Sequence, residues 1–262
     1  MRLGSLPYLN VKPLVHYLEH GGLPEGWELV YAPPSQLARM LQTGEIAAAP
    51  VSSYAVLADS ELDVCPGLCI SSRGAVKSVL MLSKTEVDLV RSVALDTSSL
   101  TGANMLKIIL AEAYGLTPEF SQTSPDAISE ALERFDAVLV IGNPAMMYPK
   151  WGLHVLDIGD EWMKLTGLPA VFALWAGRNL TSELIEVLHR SYEESRQRIE
   201  QIAREEALGL GLSYDLCYDY LARTIKYELD EPELASLEVF REKCLRHGLF
   251  DVPLYPAKIA AL

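Results

Sequence analysis

The sequence predicts a two-lobed α/β protein with a helical C-terminal segment, and three features lead to this prediction. Short apolar segments alternate with amphipathic helical patterns over the first two thirds of the chain, as is typical of a mainly parallel sheet flanked by helices. A new series of strand, helix and strand starts after the β-type segment at residues 76–83. From residue 181 onward the pattern is helical only.

The first lobe is predicted to begin with a strand, a helix and a second strand. Gly21 and Gly22 end that helix, because glycine readily adopts the backbone conformation found after a helix C-terminus. The third strand runs into Pro50-Val51-Ser52-Ser53, where a serine can cap the next helix. The predicted elements are strands at residues 2–5, 27–32 and 46–49, and helices at residues 11–20 and 36–42.

The second lobe and the C-terminal segment follow from the same patterns. An amphipathic helix at residues 102–114 ends at Gly115, and the apolar segments 136–141 and 170–176 are typical of buried strands. Many Glu and Arg residues in the helix 182–207 favour a solvated face with i,i+4 pairs over a partner-binding surface. The other predicted elements are a strand at residues 92–96 and helices at 214–224 and 232–247.

These elements predict how the chain divides between the lobes. We expect residues 1–85 and 176–262 in the first lobe and residues 86–175 in the second. The chain then crosses between the lobes twice, and a ligand binds in the crevice at the carboxyl ends of the strands. The architecture therefore predicts a cleft that closes over a small molecule.

The composition argues against several kinds of partner. A formal net charge of −13 opposes nucleic-acid binding, because a phosphate backbone requires clustered Lys and Arg. The apolar segment 167–177 is too short to span a bilayer, and residues 1–10 have no basic stretch leading into a long apolar one. We therefore expect a cytoplasmic protein with neither a nucleic-acid nor a membrane partner.

The cysteines predict a reducing environment. One C-x₃-C pair is present, but no histidine or second pair stands nearby to complete a zinc site. We expect free, mostly buried thiols and no bound metal. The four residues are Cys65, Cys69, Cys217 and Cys244.

Four loops that follow predicted strands contain small hydroxyl, amide and glycine residues in place of acids and histidines. Each lies before a helix start, where free N–H groups and the positive end of the helix dipole attract a carboxylate or phosphate. Each polar residue also has a local alternative, since Ser and Thr cap helices, Asn10 can form a turn before Pro13, and Asn143 can cap a helix starting at Pro144. The loops are residues 7–10, 50–53, 97–102 and 142–144.

Other kinds of chemistry have little support in the sequence. The five histidines fall mostly on predicted helices or away from these loops, which argues against a histidine-activated nucleophile. Neither a Walker loop nor a G-x-G-x-x-G motif is present. Arg73 and Lys77 lie near the first crossing and could pair with a ligand carboxylate, although solvated surface charges are the more common role.

The same loops carry a resemblance that runs nearly from end to end of the chain. It rests on Tyr8-Leu9-Asn10 with Pro13, Pro50-Val51-Ser52-Ser53, Ser78-Val79, residues 97–102, Ile141-Gly142-Asn143, and Gly167-Leu168-Pro169 with Phe172 and Trp175. In these residues the chain resembles the chorismate dehydratases of the futalosine pathway of menaquinone biosynthesis. That family is similar in fold to type II periplasmic binding proteins.

The resemblance implies a lyase that converts chorismate to 3-[(1-carboxyvinyl)oxy]benzoate with loss of water, using no metal or organic cofactor. It implies that Asn10 is catalytic and faces the reacting ring, while hydroxyl groups and Gly102 hold the two carboxylates of the substrate. The residues expected to bind substrate are Ser52, Ser53, Ser78, Ser99, Thr101, Gly102 and Asn143.

This reaction requires few protein groups. The ring carboxylate activates the C3–H bond vinylogously, and the C4 hydroxyl leaves as the ring becomes aromatic. Because the loops contain no obvious His or carboxylate base, our hypothesis is that the substrate's own enolpyruvyl carboxylate removes the C3 proton. The protein would then contribute position and hydrogen bonds to developing charge.

Two alternative functions stay open at this point. One is a non-catalytic protein that binds a small anion, and the other is the related enzyme of the same pathway that forms dihydroxynaphthoate. The absence of a histidine from the second-lobe loops argues against the latter. The sequence specifies no oligomeric state.

Overall fold

The computed structural model describes residues 1–125 and 127–261, and it has the predicted two lobes, each built on one sheet. The strands are β1 (Arg2–Ser5), β2 (Glu28–Tyr31), β3 (Ala48–Ser52), β4 (Asp63–Ser72), β5 (Val79–Ser83), β6 (Ser92–Asp96), β7 (Glu119–Thr123), β8 (Ala137–Ile141), β9 (His154–Asp157), β10 (Ala170–Gly177), β11 (Ile225–Leu229) and β12 (Lys258–Ile259). The helices are α1 (Lys12–Tyr17), α2 (Pro34–Gln42), α3 (Ser53–Leu57), α4 (Leu100–Tyr114), α5 (Ile128–Arg134), α6 (Gly142–Met147), α7 (Ile158–Thr166), α8 (Ser182–Arg196), α9 (Ile199–Leu210), α10 (Tyr214–Asp219) and α11 (Glu231–Arg246).

The sheet of the first lobe has the strand order β11-β4-β10-β3-β1-β2, with β12 also paired to β4. β1 is parallel to β2 and β3, but β10 is antiparallel to both of its neighbours and β11 is antiparallel to β4. The prediction of a mainly parallel sheet is therefore wrong for this half of the lobe. Ala173 in β10 lies opposite Ser52 and Ile70, which brings three strands together at one point between the lobes.

The sheet of the second lobe has the order β7-β6-β8-β5-β9 and corrects the expected lobe boundaries. β5 pairs with β8 and β9 in this sheet, whereas β10 belongs to the first-lobe sheet. The chain thus changes sheet between residues 72 and 79 and again between 157 and 170, not at residues 85/86 and 175/176. The apolar pattern predicts a buried strand but does not specify the sheet that the strand joins.

The C-terminal segment also differs from its prediction. The expected single helix at residues 182–207 is two helices, α8 and α9, separated by Gln197 and Arg198. The expected helix at residues 214–224 becomes α10 followed by a π-helical turn, and β11 then adds a strand to the edge of the first-lobe sheet. An amphipathic pattern continues through the α8–α9 break, so it gives no signal of that break.

One apolar core joins the two lobes. It contains Leu3 of the first sheet, Val93 of the second sheet and Leu106 of α4 in the same cluster. Trp162 of α7 is fully buried, meets Phe240 of α11 edge-on at 5.8 Å between ring centroids, and donates its indole N–H to a buried serine at 3.0 Å. The helices between the sheets therefore hold the lobes together by shared burial.

The two crossings are tied to each other by Asp157. Its carboxylate accepts hydrogen bonds from the backbone N–H groups of Val76 and Lys77 in the first crossing, at 2.9 and 2.7 Å. It also accepts bonds from Gly159 and Asp160 in the second crossing. Lys77 has a φ of 64°, a conformation that non-glycine residues adopt only under constraint. This carboxylate therefore sets the path of the chain between the lobes.

The expectation of free, buried thiols is confirmed. All four are free and buried, and burial raises the pKa of the Cys65 and Cys244 thiols to about 12. Among the described residues, no helix is both long and apolar enough to cross a membrane.

Candidate functional site

A cavity of about 200 Å³ lies between the two lobes. It lies where β1, β3, β6 and β8 lead into their loops. Its volume is below the roughly 300 Å³ at which pockets for drug-sized ligands begin, so it suits a small molecule. Six of the eight predicted site residues line it, namely Asn10, Ser52, Ser78, Ser99, Thr101 and Gly102.

Asn10 belongs to a 3₁₀ turn, Leu9–Val11, which leads directly into α1. Pro13 occupies the first turn of that helix, where its missing N–H costs nothing. The Asn10 Oδ1 atom is buried and has no hydrogen-bond partner among the described residues. An unsatisfied buried acceptor costs about 1–3 kcal/mol, which a donor on a ligand would recover. The amide of Asn10 is thus available for a ligand.

Ser52 and Ser53 are neighbours in sequence with different environments. Ser52 caps α3 by accepting a bond from the N–H of Ala55 at 3.2 Å, and its own hydroxyl proton remains available in the cavity. Ser53 is fully buried and donates to the carbonyl of Val171 at 2.8 Å. It does not line the cavity, so its contact ties α3 to β10 instead.

The N-terminus of α4 forms the wall of the cavity on the second lobe. Ser98 donates hydrogen bonds from both its N–H and its hydroxyl to the carboxylate of Asp96, and these bonds fix the turn before the helix. Ser99 stands at the N-cap position, yet its side chain caps no N–H group. The first backbone N–H groups of a helix have no intrahelical acceptor, and the dipole of this 15-residue helix adds positive potential there. This wall attracts a carboxylate.

Thr101 and Gly102 in the same turn bring the walls close together. The Thr101 hydroxyl oxygen accepts a bond from the N–H of Tyr54 at 3.0 Å, which joins α4 to α3. A Cβ atom on Gly102 would lie 2.7 Å from the Ser99 Oγ and 2.9 Å from a methyl group of Val79. Glycine at this position therefore lets α4 approach β5.

Ser78 lies at the end of the first crossing, immediately before β5, and is 2% exposed. Its hydroxyl oxygen accepts a bond of 2.7 Å from the phenol of Tyr220, and its carbonyl accepts one from the N–H of Gly142. The crossing and the C-terminal segment therefore both determine the position of this serine.

Asn143 is absent from the residues that line the cavity, and its predicted substrate contact stays a prediction. Its Oδ1 accepts a hydrogen bond of 3.0 Å from the N–H of Leu9, on the opposite lobe. The preceding Gly142 has a φ of 66°, and a Cβ there would lie 3.3 Å from the ring of Tyr8. Asn143 thus connects the lobes beside Asn10 and does not face the cavity.

Charged side chains are absent from the part of the cavity lining that the structure describes. Arg73 makes a bidentate pair with the buried Glu233, at 3.1 and 3.2 Å, and Lys77 pairs with Asp219. Both cations therefore have protein partners outside the cavity. Within the described residues, the one group of side chains suited to a metal is His16, His20 and Glu205, and none of these lines the cavity.

Sequence reasoning missed the contribution of the C-terminal segment. Ile225 lines the cavity, and Tyr220 bonds to a residue that does. Neither belongs to a loop after a strand of the lobe pattern, and no motif marks either one. Only information about contacts between residues distant in sequence could have identified them, because about 140 residues separate Tyr220 from Ser78.

A second concave region, the outer groove, lies between α8–α9 and α10–β11 and has a volume of about 960 Å³. It contains charges of both signs, including Arg204 and Glu200, which pair at 3.8 Å with side chains that are 69% exposed. None of the predicted site residues lines it.

The architecture and the cavity place the chain in a known structural class. A protein of Archaeoglobus fulgidus has a TM-score of 0.78 at 22% identity, with 95% of this chain and 98% of that chain covered. The alkanesulfonate-binding protein of Xanthomonas axonopodis pv. citri has a TM-score of 0.72 at 16% identity, with 98% and 96% covered. The fold is that of the periplasmic binding proteins.

The family is more specific than the fold. Residues 1–246 match the model of a family described as menaquinone biosynthesis, and the chain belongs to this family. It is 32% identical to a chorismate dehydratase of Thermus thermophilus over 97% of each chain. It is 25% identical to a chorismate dehydratase of Campylobacter jejuni, with 93% of this chain and 97% of the relative covered.

Proposed function

We propose that this protein dehydrates chorismate to 3-[(1-carboxyvinyl)oxy]benzoate in the cavity between its lobes. The observation that carries the proposal is a cavity with neutral hydrogen-bond donors and one unpaired amide oxygen, in a chain similar over nearly its whole length to chorismate dehydratases. We further propose that the reaction takes place in the cytoplasm. The four free, buried thiols support a reducing compartment.

The cavity suits a dicarboxylate without any cationic side chain. The free N–H groups at the start of α4 and the Thr101 hydroxyl would bind one carboxylate, and the hydroxyls of Ser52 and Ser78 are available for the other. Fixed dipoles of this kind act strongly in a site from which water is excluded.

Asn10 would bind the C4 hydroxyl group, whose bond to the ring breaks in the reaction. The chorismate dianion has a single hydrogen-bond donor, the C4 hydroxyl, and this donor would satisfy the unpaired Asn10 Oδ1. The C4 carbon–oxygen bond then lies beside the amide, whose Nδ2 protons can donate to the oxygen as negative charge develops on it.

The balanced reaction needs no protein base. The C3 proton passes to a carboxylate of the substrate, the electron pair of the C3–H bond enters the ring as the C4–O bond breaks, and the departing hydroxide takes up that proton and leaves as water. Among the described residues that line the cavity there is no imidazole, carboxylate or amine. This supports removal of the C3 proton by the enolpyruvyl carboxylate of the substrate, which the protein holds in place.

The direct test is incubation of the purified protein with chorismate. Loss of diene absorbance together with a mass decrease of one water is the expected result. Binding of chorismate without turnover would instead favour a non-catalytic anion-binding protein and overturn the proposal. The dihydroxynaphthoate-forming activity is less compatible with the cavity, because no histidine lies in its described lining.

A further inference from the structure

The structure points to a role for Tyr220, a residue outside every loop that the sequence motifs mark. We propose that Tyr220 is a positioning residue that turns the Ser78 hydroxyl proton toward a substrate carboxylate. This inference rests on the proposed function and extends it to the C-terminal segment. The contact that carries it is the 2.7 Å hydrogen bond from the Tyr220 phenol to the Ser78 Oγ.

The direction of this hydrogen bond decides what Ser78 can do. A phenol is a better donor and a poorer acceptor than an aliphatic hydroxyl, so Tyr220 donates and Ser78 accepts. No other described residue accepts a bond from the Ser78 hydroxyl, and Ser78 lines the cavity. Its proton therefore turns toward the cavity, where an ionised carboxylate is an acceptor only.

The surroundings of Tyr220 preserve this arrangement. Tyr220 is 1% exposed and Ser78 is 2% exposed, so the hydrogen bond between their hydroxyl groups is shielded from bulk water. Burial raises the pKa of Tyr220, which keeps the phenol protonated and able to donate. A chain of two hydrogen bonds, from phenol to serine to carboxylate, polarises cooperatively in such a site.

Tyr220 stands at the start of a turn with an unusual hydrogen-bonding pattern. Tyr220 begins the π-helical turn Tyr220–Thr224, which follows α10 and leads into β11. Turns of this type are rare and occur often at functional sites.

The chain offers a matched control in Tyr227. This tyrosine lies in the adjoining strand β11 and is 3% exposed, but its hydroxyl is buried without a hydrogen-bond partner among the described residues. Tyr220→Phe and Tyr227→Phe each remove one buried phenolic oxygen and keep the ring. Only the first change removes a bond to the cavity.

The test is a double-mutant cycle with Tyr220→Phe, Ser78→Ala and the double variant, in which chorismate turnover is measured. We expect Tyr220→Phe to raise KM about tenfold, the scale of a hydrogen bond to a charged group, with kcat changed less than about twofold. In the Ser78→Ala background the same change should have no further effect on KM. Tyr227→Phe should match the unmodified protein in both parameters.

Several outcomes would overturn the proposal. These are an unchanged KM in Tyr220→Phe, an equal rise in KM in Tyr227→Phe, or a full additional rise in the Ser78→Ala background. Turnover by the unmodified protein is judged separately, because it tests the proposed function. If the protein binds chorismate without converting it, dissociation constants of the same variants replace KM; if it does not bind chorismate, both proposals fail.

Discussion

The interlobe cavity and the outer groove differ in size, charge and hydrogen bonding. The outer groove is larger, about 960 Å³ against 200 Å³, and contains charged side chains of both signs. Its Arg204 and Glu200 are mostly exposed, so water and salt screen them. The cavity has no charged side chain in its described lining, but its polar groups are held by hydrogen bonds to both lobes.

If the cavity is the site of the proposed reaction, neither volume nor charge identifies that site in this protein. A ligand in the outer groove would meet exposed charges, of which Arg204 and Glu200 already pair with each other. A ligand in the cavity would meet an unpaired amide oxygen, a helix N-terminus and oriented hydroxyls. Preorganised groups of this kind stabilise developing charge at little cost in reorganisation.

The largest expected effect is that of Asn10→Ala. Loss of the amide that we propose to face the breaking bond should lower kcat for chorismate by about 10²–10³-fold, as for removal of one transition-state donor. KM should change much less than kcat. Full turnover by this variant, measured by the loss of diene absorbance, would remove Asn10 from the mechanism.

Gly102→Ala should raise KM on the order of tenfold, because the new Cβ would displace Ser99 or separate α4 from β5. The control is Gly209→Ala in α9, where a Cβ would meet nothing within 4 Å. This control should leave turnover unchanged and stabilise the protein by about 0.5–1 kcal/mol, since alanine is the better helix former. Equal KM values for the two variants would contradict the assignment of the α4 wall.

Asn143→Ala removes the hydrogen bond to Leu9 that connects the lobes beside Asn10. One such bond contributes about 0.5–1.5 kcal/mol, so we expect a rise in KM of roughly two- to tenfold with kcat nearly retained. Calorimetry should show the same effect as a weaker affinity of the variant for a carboxylate ligand. A fall in kcat as large as that of Asn10→Ala would instead indicate direct contact with the reacting ring.

Arg204→Ala in the outer groove should change kcat and KM by less than about twofold. Its partner Glu200 is exposed, and pairs of this kind contribute about 0–1 kcal/mol. A larger effect on chorismate kinetics would show that the groove takes part in the reaction.

The smallest expected effect is that of pH on turnover. Among the described residues that line the cavity, only the Tyr8 phenol is ionisable, and phenols ordinarily ionise near pH 10. The kcat should therefore stay flat between about pH 6 and 8.5. An inflection in that range, in a pH–rate profile, would indicate a protein acid or base that the cavity lining does not contain.

Much of the fold could be predicted from local patterns, and the errors have identifiable causes. The predicted bounds of α4 lie within two residues of the observed ones, and the helix ends at Gly115 as predicted. Both features follow from local signals, namely the apolar period and a left-handed glycine. The lobe boundaries were wrong because β5 and β10 have apolar patterns that fit either sheet. The strand β11 was missed because it follows two helical patterns and has only five residues.

The candidate site divides in the same way. Asn10, Ser52, Ser99, Thr101 and Gly102 line the cavity, as expected for residues in loops that follow strands, because such loops converge in this architecture. Ser53 and Asn143 lie in the same loops, but their side chains form hydrogen bonds with the backbone of Val171 and Leu9 and do not line the cavity. Position in a loop does not predict the direction of a side chain.

The sequence by itself determined the two-lobed class, the polar composition of the loops and the family resemblance, since these depend on local period and on short motifs. Only the tertiary structure decided which polar groups face the cavity and which ones pair across it. The hydrogen bonds from Tyr220 to Ser78 and from Leu9 to Asn143 each join residues more than 130 positions apart. Such pairs form only after both sheets have packed on the shared core, so no local pattern encodes them.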